Sequence, residues 1–577
     1  MRCQSAAAMR PLSFVRSARR RQNALAYVLL TLLCLAVYLP GLTTIPPVDR
    51  DEPRFAQATK QMVDSGDFVR PHFQTDDRFN KPIGIYWLQA AAVSVTQQQG
   101  RPAIWAYRLP SLLGAYVAVL LTYGIGAQLF DRRAALLGAA FLASSALLVV
   151  EAHLATTDAV LLACVVAAQG CLALLYLAAH GTGLSRRRYA VGFWLAQAVG
   201  ILVKGPIVPL VSSLTVGALV LFDRRGMTQT LAGLYARWGF PLMMVLLSPW
   251  MIAAGVSTDW RFYREWIGGD LLPKILGGQE THGAPPGLYL LLLTATFWPG
   301  SFAAGLGIVR GVARREQCAE RFCLAWLVPT WLFFEVMPTK LPHYVLPAYP
   351  ALALLVAAAV FDPPANLWRR SHRLLLGGCV LWSLVTCAAG VVIITGARRF
   401  GDGVDVAVLC AAWAACLICI VCVRLCRRAQ LIGASWVAVI GSVLLFAPVL
   451  HWVLPELRAL WLSNRAAVAI AHRPRRGNGS RPLAAVGYHE PSLIFLAGMN
   501  TALIEPRPAV ALLRQRSAGL VLVSEDQLAA FERAAGELGV GIHEVWSANG
   551  FNYSMGQWTR LRLFERREWT ERADSAE

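Results

Sequence analysis

The segment Ile45–Phe68, IPPVDRDEPRFAQATKQMVDSGDF, sets Asp49, Asp51, Glu52 and Arg54 side by side, with Lys60 a little further on. Carboxylates among cations suit group transfer at an anionic centre. A carboxylate can take the proton of an attacking hydroxyl, while cations hold a departing phosphate. The same acids also suit the first turn of a helix, where the dipole favours negative charge, so spacing alone leaves both readings open. Other stretches carry the same ambiguity. In RFNKPIGIYWLQA, Lys81 precedes a proline and the aromatic pair Tyr86/Trp87, a pattern that also describes a snorkelling lysine with interfacial anchors. Asp158 in AHLATTDAVLLACV doubles as an N-cap, and Lys204 in LVKGP sits at a tight turn. MPTKLPHYVLPAYP crowds Lys340, His343 and Tyr344 among four prolines. The stretch 257–287 opens with the amphipathic DWRFYREWIGG, which suits a segment lying flat on a membrane. It continues with Lys274, Glu280 and His282 in a Gly/Pro-rich run that suits either a gate or an inert loop.

The elements that must position these residues are membrane helices. The chain has 577 residues, 56% of them hydrophobic and 15% charged, against about a quarter charged in soluble domains. Repeated apolar runs predict about thirteen spans between residues 24 and 452. The net charge of +20 does not point to nucleic acid, because the arginines cluster in short loops between apolar runs. Arg132/Arg133, Arg186–Arg188, Arg224/Arg225, Arg314/Arg315, Arg369/Arg370/Arg373 and Arg424/Arg427/Arg428 occupy every second loop, as does the basic N-terminus 1–23. By the positive-inside rule these face the cytoplasm; Arg398/Arg399 are the exception. The segments 43–107 and 257–287 and everything after 453 then face outward. Every lysine falls on that outward side (Lys60, Lys81, Lys204, Lys274, Lys340), together with Glu151, His153, Asp158, Glu265, His282, His343 and Tyr344. Ionisable groups at helix ends need a partner, water or a task, and their gathering on one side predicts a polar cavity at the outer boundary. The cysteines fall in predicted spans or on the arginine-rich side, so neither structural disulfides nor a metal cluster is expected.

Residues 453–577 change character. LAAVGY, TALIE and GLVLVSE read as strands, while EPSLIFLAG, AVALLRQR and QLAAFERAAGELG read as helices between them. A closing β-hairpin follows, with its turn at SANG or SMG. This predicts a small α/β domain with neither a GxGxxG nor a P-loop. No nucleotide-activated donor is available outside the cytoplasm, so an activated group would arrive attached to lipid, which suggests a polyprenyl-phosphate sugar.

The run VDRDEPRFAQATKQMVDSGDFVRPHFQTDDRFNKPIGIYWL resembles the signature of bacterial membrane glycosyltransferases related to protein O-mannosyltransferases, and within them the lipid A aminoarabinose transferases. AHLATTDAVLLA, GILVKGPIVPL and TKLPHYVLPAYP resemble that family's later motifs in the same order. The resemblance covers roughly residues 25–360. It implies a GT-C fold with about thirteen spans and a periplasmic C-terminal domain. Asp51 and Asp158 would be the catalytic acids. Arg54, Lys81 and Tyr344 would grip the donor phosphate, and Glu52, Tyr86, Lys204, Lys274, His282, Lys340 and His343 would complete substrate binding. The chain departs from the family at Asn80, where a glutamate is frequent, and at Lys274, where an arginine is common and would offer a bidentate phosphate fork. The expected partners are a polyprenyl-phosphate-sugar donor, membrane lipids and an acceptor on lipid A or another envelope glycan, with no nucleic acid. No cofactor or metal is expected; a divalent cation has no support in the sequence. Protein hydroxyls as acceptor, or lipid and sugar transport without chemistry, are the alternatives. The expected location is the bacterial inner membrane, with the working face periplasmic.

Overall fold

The computed structural model describes residues 12–99, 103–181, 186–273, 283–363, 368–473, 482–515 and 519–567. Residues 1–11 of the basic N-terminus, and Lys274, Glu280 and His282, lie outside the described residues. The chain is a multi-pass membrane protein. Seven helices among the described residues are long and apolar enough to cross a bilayer, and the pair Arg132–Ser144 and Ala146–Ala152, bent by 59°, counts as an eighth when taken as one span. The expected figure of about thirteen also counted Gln22–Tyr38, Ile207–Phe222, the broken stretch from Leu288, and the helices Arg186–Lys204 and Cys318–Val336.

The two ends of the bundle differ in chemistry. The helix Asp158–Ala179 is about 33 Å long at 1.5 Å per residue. Near its far end, Tyr176 and His180 meet Asp223, which Arg321 bridges at 2.9 Å. At its beginning, Asp158 meets Lys204 and His343. The loop at Asp223 and Arg224 and the lysine Lys204 thus belong to opposite ends, as the loop alternation predicts.

Close helix approach depends on small residues. A Cβ on Gly84 would lie 2.7 Å from the Leu202 carbonyl oxygen, so glycine lets the helix Gly84–Val95 lie against the end of Arg186–Lys204. That contact brings the turn carrying Lys81 beside Lys204.

The first outer segment is held by a buried ion pair. Arg108, fully buried in the helix Ile104–Leu129, donates to both carboxylate oxygens of Glu52 at 2.7 and 2.9 Å. Its other donors reach the carbonyls of Leu42, Ile45 and Pro46, so all five guanidinium N–H groups are used. Glu52 also accepts from the backbone N–H groups of Val48 and Ala155. One pair therefore fixes the loop after the first helix, the start of the helix Asp51–Ser65 and the bend before Asp158.

The stretch 257–272 does not simply lie flat. Phe262 is buried against Phe79 at 5.5 Å and Trp250 at 5.2 Å, and Arg261 pairs with Asp77 at 2.9 Å. Its aromatic side folds inward onto the segment that carries Lys81, because Phe262 gains more from that packing than from an interface.

The C-terminal domain forms as predicted. Strands β3 (Leu483–Val486), β4 (Ala502–Leu503), β5 (Leu520–Ser524), β6 (Ile542–Asn552) and β7 (Gln557–Arg566) make a sheet of order β4-β3-β5-β7-β6. A minimal pair, β1 (His72–Phe73) and β2 (Asp76–Asp77), lies in the first outer segment. β3 pairs parallel with β4 and β5, and the β6–β7 hairpin adds antiparallel to β5. β3 and β5 are buried along their whole length, as suits parallel strands covered on both faces. The hairpin turns at Tyr553–Gly556, with Gly556 at φ +71°. SMG is therefore the turn, and SANG lies inside β6, where it pairs with Arg562–Thr559.

This domain docks on the first outer segment. Phe495 packs edge-on against Tyr107 at 5.4 Å and joins a core with Ala56, Val93 and Ile104. The Asp49 carboxylate accepts from the Ser492 N–H at 2.9 Å and its hydroxyl at 2.6 Å, the Asp49 N–H donates to the Tyr553 hydroxyl at 2.6 Å, and Arg50 donates to the Ser554 carbonyl at 2.7 Å. Burial pushes the Asp49 carboxyl up to about 7; the Ser492 hydroxyl pulls it back, and Glu490 and Glu52 add repulsion.

Three outcomes follow from these contacts. Arg108→Ala leaves a buried carboxylate unpaired and is expected to lower stability by about 3–5 kcal/mol, read as thermal unfolding of the detergent-purified protein. Gly84→Ala is expected to cost about 1–3 kcal/mol by overpacking. Asp49 binds its proton more tightly in the folded chain, so its contribution to stability is fullest below about pH 4 and is lost as pH rises through about 7. Asp49→Asn is expected to remove that part of the pH dependence of the unfolding temperature.

Candidate active site

A cavity of about 700 Å³ opens where the first outer segment, the start of Asp158–Ala179, the end of Arg186–Lys204 and the stretch 339–344 converge. Asp51, Arg54, Lys81, Asp158, Lys204, His343 and Tyr344 all line it. Residues drawn from five distant stretches of sequence thus share one hollow.

The two lysines there are each matched to an acid. Lys204 Nζ lies 2.5 Å from Asp158 Oδ1 and 5.8 Å from the Tyr344 ring. His343 reaches Asp158 at 3.8 Å through Nε2 and Glu151 at 3.5 Å through Nδ1. Lys81 pairs with Asp270 at 3.0 Å. Lys204, Lys81, Asp158 and Asp270 are all largely buried, so these are charges held in place by one another rather than by water. An ammonium bound to one carboxylate still has further N–H groups to offer. Asp158 is not an N-cap: Thr157 holds that position and Asp158 is the first helical residue, turned to its ammonium partner. Asp51 differs from it. Its side chain is 66% exposed at the cavity wall, with Arg54 at 3.9 Å. It is a carboxylate an incoming group can reach, as is the exposed Glu265 on the same wall.

An apolar groove of about 120 Å³ adjoins the cavity. Leu161, Ile207, Leu210, Trp266, Phe333 and Phe334 line it, and it shares Lys81, Asp158, Lys204, Asp270, His343 and Tyr344 with the polar cavity. Charged head and greasy tail of one ligand would therefore meet the two lysines at the junction.

Three expected site residues take other places, as does His153. Glu52 borders the cavity, but its carboxylate is consumed by Arg108 and two backbone N–H groups; it is a structural clamp, not a substrate ligand. Tyr86 is fully buried, its hydroxyl accepting from Arg78 at 3.2 Å and its ring 5.6 Å from Phe55. Lys340 turns away and donates to the carbonyls of Glu335 and Met337, 5.9 Å above the Tyr289 ring. His153, on the same outer side, is buried between the carbonyls of Val149 and Pro40. The expected site residues Lys274 and His282 lie outside the described residues.

The sequence reading did not single out Arg108 or Asp270, and it noted Glu151 only as one of the outer-side acids. The signal for Glu151 is its place seven residues before Asp158, at the end of an apolar run. Asp270, inside IGGDLL, gives none. Among the described residues no group of three or more His, Cys, Asp or Glu is placed to hold a metal ion.

Residues 80–252 match the family model described as dolichyl-phosphate-mannose-protein mannosyltransferase. The chain is 32% identical over 345 residues to an undecaprenyl phosphate-alpha-4-amino-4-deoxy-L-arabinose arabinosyl transferase of Aeromonas salmonicida, an alignment covering 58% of this chain and 59% of that one. The transferase of the same description from Pseudomonas paraeruginosa is 29% identical over 347 residues, covering 59% and 60%. The chain thus matches these relatives over about three fifths of their length. The crystal structure of ArnT from Cupriavidus metallidurans bound to undecaprenyl phosphate superposes with a TM-score of 0.72 at 19% identity, over 93% of this chain and 97% of that one. The oligosaccharyltransferase of Archaeoglobus fulgidus superposes with a TM-score of 0.52 at 12% identity, over 95% and 75%. The fold is GT-C, and over residues 80–252 and about three fifths of its length the sequence is similar to the protein O-mannosyltransferase family model and to the aminoarabinose transferases.

Proposed function

We propose that the protein is a membrane glycosyltransferase that moves a sugar from a polyprenyl-phosphate donor to an acceptor on lipid A or a related envelope glycan. The observation that carries this reading is the junction of polar cavity and apolar groove at Lys81, Lys204 and Tyr344. A polyprenyl tail suits the groove, and its phosphate then lies against two ammonium groups. The names and the bound lipid of the similar proteins support the same chemistry. The reading places the chain in the bacterial inner membrane, with the lysine-bearing end and the C-terminal domain periplasmic.

The acceptor oxygen attacks the anomeric carbon as the bond from that carbon to the phosphate oxygen breaks. The electron pair leaves with the polyprenyl phosphate, whose developing charge meets Lys81 and Lys204. Asp158 and Asp270 hold the two ammonium groups before the donor arrives, so little reorganisation is needed. His343 spans Asp158 and Glu151 and fixes the wall behind them. Arg54 holds Asp51 toward the open side. The acceptor's nature decides the role of Asp51. A hydroxyl gives its proton to Asp51, whereas a phosphate monoester is already ionised near neutral pH, with a second pKa of about 6, and needs no base. The reading invokes no cofactor or metal.

Transfer to protein hydroxyls is the second reading, favoured by the family model over residues 80–252. A transporter would place its polar groups near the membrane midplane on broken, repeated helices, whereas here they gather at one end of the bundle.

The test is sugar transfer by purified protein, followed by mass spectrometry of the products. Lys81→Ala and Lys204→Ala are each expected to lower the turnover rate by about 10²–10³-fold, as loss of a donor to a developing oxyanion does. Asp51→Asn is expected to abolish transfer to a hydroxyl acceptor while sparing transfer to a phosphate acceptor; full transfer to a hydroxyl by this variant would remove Asp51 as base.

A further inference from the structure

A second cavity, of about 730 Å³, lies at the C-terminal domain, and Arg50 and Arg54 line both it and the active-site cavity. Its place in the fold is the reason to read it as a binding site. From β3 the chain runs through the helix Pro491–Ala497 to β4, on one side of β3. From β5 it leaves through the helix Glu525–Glu537 toward β6, on the other side. The connections diverge at the carboxyl ends of β3 and β5, which leaves a crevice where open α/β sheets bind their ligands. The cavity lies there: Gly487 and His489 follow β3, and Asp526 follows β5.

Its chemistry selects the ligand. The walls carry Glu490, Asp526, Asn552 and Gln557. Glu490 accepts from Asn552 Nδ2 at 2.8 Å, and Asn552 in turn accepts from the backbone N–H groups of Ser554 and Met555. Asp526 is steadied by the Ser524 hydroxyl and by Gln527 at 3.2 Å. These are carboxylates and amides fixed in orientation with acceptor capacity left over, which suits a partner rich in hydroxyl donors. Ser554, on the same wall, keeps a buried hydroxyl with no protein partner in the structure, and such a group is costly unless a ligand or water meets it. Two carboxylates repel a pyrophosphate, and the chain carries no glycine-rich phosphate loop, so a dinucleotide does not fit. The two arginines at the shared wall mark where an anionic substituent would sit.

We propose that this crevice is the acceptor's carbohydrate subsite: it holds the hydroxyl-rich part of a glycan whose phosphorylated end reaches past Arg50 and Arg54 toward Asp51. The inference rests on the transferase reading and extends it, since it makes the C-terminal domain a determinant of acceptor choice.

The experiment uses the full chain in lipid nanodiscs and saturation-transfer NMR with a deacylated glucosamine disaccharide bisphosphate as the probe. Wild-type protein is expected to bind it, and to bind more tightly the form with a phosphate at one end only, because the second phosphate would meet Glu490 and Asp526. Asp526→Ala and Gln557→Ala, both exposed positions, are each expected to weaken that binding about tenfold or more, and Asp526→Asn less than Asp526→Ala. No binding by the wild type, or unchanged affinity in the Asp526→Ala and Gln557→Ala variants, overturns the subsite. Binding of undecaprenyl phosphate, measured in parallel, separates the two readings. Wild-type protein that does not bind this lipid counts against the transferase itself. Retained lipid binding with unchanged disaccharide affinity in the variants counts against the crevice alone.

Discussion

The first outer segment is registered by one buried pair, Arg108 with Glu52. A guanidinium with every donor filled has a single arrangement available to it, and its partners here are the loop after the first helix, the start of Asp51–Ser65 and, through Glu52, the Ala155 N–H. Asp51 is the residue before Glu52, and Asp158 lies three residues after Ala155. The two acids of the cavity are thus placed by the same clamp, from opposite sides. A pair so deeply buried repays its desolvation only when all its hydrogen bonds are made, so the arrangement is specific rather than merely adhesive.

Within the cavity, charge is arranged as mutual restraint. Lys204 with Asp158 and Lys81 with Asp270 are short pairs shielded from water, and His343 ties the first of them to Glu151. Asp51 stands apart, exposed and only distantly met by Arg54. The division is physical: enclosed carboxylates order cations, and Asp51 faces the open side. The aromatic packing of Phe262 on Phe79 closes the wall near Lys81 without adding another charge.

Much of this was legible in the chain. Apolar runs locate membrane helices because the bilayer demands length and composition, and alternating arginine loops assign the ends. The strands and helices of residues 483–566 follow from short β-branched and aliphatic runs between turn residues. The convergence of Asp51, Lys81, Asp158, Lys204, His343 and Tyr344 followed from sidedness. What was hidden is what depends on partners far along the sequence. Arg108 stands at the edge of a span, where an arginine ordinarily reads as an interfacial residue, and Glu52 looks as reactive as its neighbour Asp51. Lys340 falls among chemically suggestive residues, yet the proline-rich turn points its ammonium at carbonyls. Tyr86 sits on a helix face that the sequence alone could not assign to the core. Asp49 carries no local sign that it receives a domain more than four hundred residues away.

That last contact has a temporal side. Asp49 and Arg50 bond to Ser492, Tyr553 and Ser554, at sequence separations of 443 to 504 residues. Arg50 holds a left-handed φ of +85° in the midst of them, a backbone state that a residue with a side chain keeps only when its surroundings enforce it. During synthesis the segment bearing Asp51 emerges more than four hundred residues ahead of the groups that enforce its shape. The neighbourhood of that acid is therefore finished only once the hairpin around residue 554 has been made, and a chain cut short before that hairpin would carry Lys81 and Lys204 yet lack the hand that sets the carboxylate beside them.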